Sequence, residues 1–202
     1  MFKAISTFEV RYQLRQPLFY AVTLLLALMT FGAVTSDTVQ IGGSIGNVHR
    51  NAPLVIMRLL GAMTLIGMFV TTAFVASSAQ RDFEHGTHSL FFSKPLNKRD
   101  YLLGRFFGSV GISALVFLGP TLGILIGTFM PWLEPERLGP FTLAPYLYTF
   151  LIFVIPNLVF TGAVFFTLAS VTRSLLYTYL GVVVLFIGYI ITQSMLRDVE
   201  NV

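Results

Sequence analysis

The sequence predicts an all-α, polytopic membrane protein, with an N-terminal interfacial amphipathic helix followed by five transmembrane helices. Three observations carry that expectation. Hydrophobic residues make up 55% of the 202 and charged ones only 11%, at a mean hydropathy of +0.78, whereas a water-soluble domain carries roughly 25% charged residues. The apolar residues fall in long uninterrupted blocks rather than in the alternations or stripes of a one-sided core, and the solvent that suits such blocks is lipid. The 20 Phe and 17 Gly suit helices packed closely within a bilayer. A net charge of +4 from scattered Lys and Arg does not suit nucleic-acid binding, and the lack of cysteine excludes disulfides, thiol catalysis and thiolate metal sites.

The first segment sets Phe2, Ile5, Phe8 and Tyr12 against Lys3, Glu9, Arg11 and Arg15. Apolar groups three or four residues apart lie along one stripe, so residues 1–17 read as a helix at the membrane surface. A signal peptide also places a basic stretch before an apolar run, but here the charged region is long and no convincing A-x-A site follows. Pro17 suits a helical first turn, and Leu18 to Thr35 contains no charge. This is the first of five expected spans, at about 18–35, 54–79, 102–130, 146–170 and 175–196, which together make residues 18–202 a transmembrane domain. The Gly-rich polar stretch from Ser36 to Ala52 is a loop, and Pro53 opens the second span, with Arg58 near enough to its outer end to snorkel. The third span is long enough to tilt, and Pro120 is its expected kink point. A loop, PWLEPERLGPFTLAP, precedes the fourth span, and only Val171 to Ser174 connects it to the fifth.

The distribution of basic residues sets the expected orientation. A cytoplasmic N-terminus puts nine of the 13 inside (Lys3, Arg11, Arg15, Arg81, Lys94, Lys98, Arg99, Arg105 and Arg173), leaving Arg50, Arg58, Arg137 and Arg197 outside. On the third span Gly119, Gly123 and Gly127 form GxxxGxxxG, a spacing at which backbones approach closely, against a neighbouring helix or a second subunit.

The most distinctive stretch is the loop expected after the second span, residues 81–105. With Phe106 it holds eight of the chain's 22 charged residues, interleaved with Phe83, Leu90, Phe91, Phe92 and Tyr101. Gly86 permits a break, Thr87 can cap a short helix, and Pro95 stops it before Asn97 or Asp100 caps the next. The implied object is a short transverse helix at the membrane surface, apolar on one side and charged on the other. His85 and His88, beside Asp82 and Glu84, have a conceivable metal-ligand spacing, but a break at Gly86 would spoil the shared face.

In this stretch the sequence resembles the membrane subunits of type-2 ABC transporters, the exporter-like permeases. Their pattern of an acidic residue with Gly-Thr, then a leucine, a Pro, a basic residue and an aromatic is matched in order by Glu84, Gly86, Thr87, Leu90, Pro95, Arg99, Tyr101 and Arg105. The N-terminal segment with Phe8, Glu9, Arg15 and Pro17 is also similar to the family's interfacial helix. The nearest branch is that of bacterial permeases, some of which continue into a zinc aminopeptidase region, although no HExxH occurs here. The resemblance implies a permease of the bacterial inner membrane with six spans, so that a piece of a longer protein, or a missing last helix, is expected. It implies that the loop carrying Arg81, Asp82, Glu84, Phe91 and their neighbours docks onto a separate ATPase subunit. It also implies a second permease half, identical or related, with ATP and magnesium held by the ATPase. The chain itself has no G-x-x-x-x-G-K-[ST] phosphate loop and is not expected to be an enzyme or to bind a cofactor.

Two other classes compete. A secondary transporter would place ionisable groups deep in the bilayer, and none lies near the midplane of a span; Asn157, next to Pro156, can line a substrate path or satisfy a carbonyl freed at a kink. A non-transporting membrane scaffold is compatible with the same composition.

Overall fold

The computed structural model describes residues 1–36, 49–84, 86 and 97–200, with side chains up to residue 195. The elements are α1 (Phe2–Leu14), α2 (Pro17–Thr35), α3 (Pro53–Glu84), α4 (Lys98–Gly127), a 3-10 turn (Pro135–Arg137), α5 (Ala144–Tyr148), a π-helical segment (Thr149–Val154), α6 (Ile155–Thr172) and α7 (Leu175–Glu200), and no strand occurs among the described residues. Five stretches are long and apolar enough to cross a membrane: Pro17–Thr35, Pro53–Glu84, Lys98–Gly127, Ala144–Thr172 and Leu175–Met195. The all-α, five-span expectation therefore holds.

The span ends differ from expectation in one place that matters. The second span runs on to Glu84 and the third begins at Lys98, so Arg81, Asp82, Tyr101 and Arg105 lie in helices and not in a connecting loop. Counting charges as loop failed here because these charges are neutralised by partners on neighbouring helices. At 32 residues α3 is about 48 Å long, against a hydrocarbon core of about 30 Å. Its terminal turns can therefore stand at or beyond the lipid headgroups.

The helix α4 is the centre of the packing, and its glycines say how. A methyl group at Gly104 would come within 2.9 Å of Ile5, and one at Gly108 within 2.7 Å of Glu9, both on α1. Further along, Gly119 lies against the Thr23 carbonyl, Gly123 against the Ala27 carbonyl and Thr30 hydroxyl, and Gly127 against Val34, all on α2. The N-terminal amine lies 3.7 Å from Asp100. Thus α1 and α2 run in the direction of α4 as two pieces of one broken rod, divided at Gln16, where the backbone turns extended before Pro17. The GxxxGxxxG ridge, for which a second subunit was one expected partner, is occupied by α2 of the same chain. Thr30 lies between the two helices and donates to the Pro120 carbonyl at 3.0 Å. The helix continues through Pro120, from Lys98 to Gly127.

On its other sides α4 meets α3, where the Phe117 ring lies over Gly67, and α6, where Val110 packs on Gly162. The core between them contains Leu26, Ile56, Leu60, Phe74, Ile112, Phe117, Ile124 and Leu158. The π-helical turn precedes Pro156, whose missing N–H would leave a regular α-helical ladder incomplete there. Arg173 ends α6 at φ 51°, a left-handed cap whose N–H donates to Ala169, and this tight reversal lets α7 begin at Leu175. At the other end of the bundle Arg50 donates to the Val34 and Ser36 carbonyls at 2.5 and 3.2 Å, capping α2, and the Asn51 side chain both donates to and accepts from the Gly139 backbone.

Candidate functional site

Where α1 meets the adjoining ends of α3 and α4, four charged side chains are buried together. Glu9 is 0% exposed, Arg105 3%, Asp82 5% and Arg81 8%, and an isolated ion at such depth would cost several kcal/mol. Each charge is matched. Arg81 donates to both carboxylate oxygens of Glu9, at 2.7 and 3.1 Å, in the bidentate fork that a guanidinium allows. Arg105 donates to Glu9 at 3.1 Å with one nitrogen and to Asp82 with another. Tyr101 donates its hydroxyl to Asp82, and Gln13 donates to Glu9 at 2.5 Å and to the Phe74 carbonyl at 3.3 Å. Two carboxylates and two guanidiniums give the group no net charge.

The local sequence explains how the group forms. Glu9 and Gln13 are one turn apart, so both face α3 and α4 from α1. The missing side chain at Gly108 lets the Glu9 backbone come close enough for its carboxylate to reach between the two arginines. Tyr101 and Arg105 are likewise one turn apart on α4, so that both reach the Asp82 carboxylate from one face. Tyr12 covers the group from outside, with the Arg81 guanidinium 3.8 Å from its ring centroid. Beside it, Gln80 donates to the Ala169 carbonyl of α6 at 3.4 Å, and Arg173 lies 4.7 Å over the Phe83 ring. The arrangement has no open acid or base to offer a substrate. Chemically it is a clamp, fixing α1 to both flanks of the 85–97 segment.

Of the residues singled out from the sequence, Arg81, Asp82, Tyr101 and Arg105 are thus gathered inward. Glu84, Gly86 and Arg99 are exposed, and Gly86 has φ +66°, a conformation that favours glycine. Thr87, Leu90, Phe91 and Pro95 lie outside the described residues, as do His85 and His88. Asn157 is half-buried on the first turn of α6, and its carbonyl accepts from the Thr161 hydroxyl at 2.7 Å. Sequence reasoning assigned no ionic partner to Glu9 and passed over Gln13. The available signal was a single acid on α1 placed opposite the segment's three cations, Lys3, Arg11 and Arg15.

No curated protein and no solved structure matches the chain. A family model described as "ABC-2 family transporter protein" matches residues 3–201.

Proposed function

This chain belongs to the ABC-2 transporter family, and on that premise we propose that it is an export permease driven by a separate ATPase that docks on the segment between α3 and α4. As a member of the family it is a membrane permease component of an ABC transporter. ATP and magnesium are held by the ATPase, and transport involves a second permease half. The N-terminus and the docking segment face the cytoplasm, and the membrane is a bacterial inner membrane.

The observation that supports the docking site is the buried clamp. A force applied to residues 85–97 meets Arg81 and Asp82 on one flank and Tyr101 and Arg105 on the other, all joined to Glu9. A displacement there passes into α1, α3 and α4 together, which is what rigid-body rocking of a permease half requires. Glu84 and Arg99 stand exposed at the two rims, with Phe91 between them in sequence. An apolar anchor with a charged rim gives a small interface both affinity and register.

The test is to purify the chain from its native membrane and identify its companions. An ATPase subunit should co-elute, and Glu84→Lys or Phe91→Ala should lower transport-coupled ATP hydrolysis by about tenfold or more while the permease stays folded. Co-elution of a different class of protein, or full coupling in both variants, would move the reading to a membrane scaffold or to another docking site.

A further inference from the structure

On its outer face α1 carries a groove lined by Lys3, Ala4, Thr7, Phe8 and Arg11. Lys3, Thr7, Arg11 and Arg15 follow one another at four-residue intervals, so the basic side chains form a stripe along the helix. All three cations are exposed, and none has an ion-pair partner among the described residues. The one acid of the segment, Glu9, is turned inward to Arg81 and Arg105. The outer face is therefore wholly cationic and uncompensated.

Its apolar side has the chemistry of a headgroup region. Phe8 is 56% exposed and stacks on Tyr12, with centroids 6.2 Å apart. Phe2 packs edge-on against Phe107 of α4, itself exposed beside Leu103. Arg15 and Gln16 alone separate α1 from the first span, so the Arg11 end of the groove lies close to where that span begins. Aromatic rings beside Lys and Arg at that depth suit an anionic interface.

We infer that this face is a docking surface for the headgroups of anionic phospholipids, with Lys3, Arg11 and Arg15 meeting the phosphates and Phe8 and Tyr12 seated among the upper acyl carbons. The surface is not isolated from the clamp. Phe8 stacks on Tyr12, and Tyr12 stacks on the Arg81 that holds Glu9. Lipid seated on one side of α1 thus braces the ion group on the other. The inference stands apart from the ATPase reading, because it needs neither nucleotide nor substrate.

The test uses the full chain in vesicles. The single Trp is moved from the outer loop to the groove by Trp132→Phe with Phe8→Trp, and its fluorescence is quenched by brominated phosphatidylglycerol or brominated phosphatidylcholine. Each cation near an anionic surface is expected to contribute about a fivefold preference, so phosphatidylglycerol should quench at several-fold lower mole fraction than phosphatidylcholine. Adding Lys3→Gln, Arg11→Gln and Arg15→Gln should erase the difference, and Lys3→Arg with Arg11→Lys and Arg15→Lys should retain it, which separates charge from misfolding. Inorganic phosphate should reverse the quenching no more than chloride at equal ionic strength. Equal quenching by the two lipids, a preference surviving in the neutralised variant, or specific competition by free phosphate would overturn the inference.

Discussion

Glu9 is the residue on which the charged clamp turns, since both guanidiniums and Gln13 donate to it. Glu9→Ala leaves Arg81 and Arg105 buried with only the Asp82 carboxylate between them, and the expected loss is about 3–5 kcal/mol, measured as a lower thermal midpoint of the purified protein. Glu134→Ala, which removes an exposed pair with Arg137, should change the same measurement by less than about 1 kcal/mol. Similar effects from the two substitutions would show that the buried group is not structurally important. At this scale the sequence was only partly legible. Arg81, Asp82, Tyr101 and Arg105 stand out as charges and aromatics near a loop, but composition cannot say that they pair with a carboxylate far away in the chain. Reading them as available to a partner assumed that charge seeks solvent; in the structure the three charges find opposite charges first, and Tyr101 donates to Asp82.

At the scale of elements, the apolar runs disclose the helices because lipid leaves no other way to satisfy a backbone. The glycine spacing on α4 likewise discloses that something packs there closely. Spacing marks a face and not its occupant, so it could not distinguish α2 of the same chain from a second subunit. Gly123→Leu should push α2 away from α4 and cost about 1–3 kcal/mol or more, seen as reduced detergent stability. Gly111→Leu, on the same helix at a position with nothing within 4 Å, is the control and should be near neutral. If both variants melt alike, the ridge is not the seam between the two helices.

For the whole molecule, enclosure falls from the centre outwards. Within the most apolar window of each span, 61% of the residues of α4 are buried but only 11% of those of α7, so α7 is held to the bundle along one side, against α3 and α6. The five-span fold was legible from hydropathy, and the family from the ordered residues between Glu84 and Arg105. The lengths of α3 and α4 were not, because the last turns of α3 and the first turns of α4 are polar in composition, and their charges are paired across the helices. The orientation argued from basic residues predicts that alkaline phosphatase fused after Val202 is active and that a fusion at Asn97 is inactive. The opposite pattern would place the proposed docking segment on the wrong face for an ATPase.

The pairing of Glu9 with Arg105, 96 residues apart in the chain, also fixes an order of events during synthesis. At roughly 5–20 residues per second, some 5–20 s pass between the appearance of the carboxylate and that of its second guanidinium. Arg81, at the end of the second span, reaches the carboxylate first, but until α4 follows Glu9 lacks its second guanidinium, and α2 enters the membrane before the glycine surface it fits has been made. The first 35 residues of this protein are thus made in a form that waits for α4, with the ion group half-built until the third span arrives.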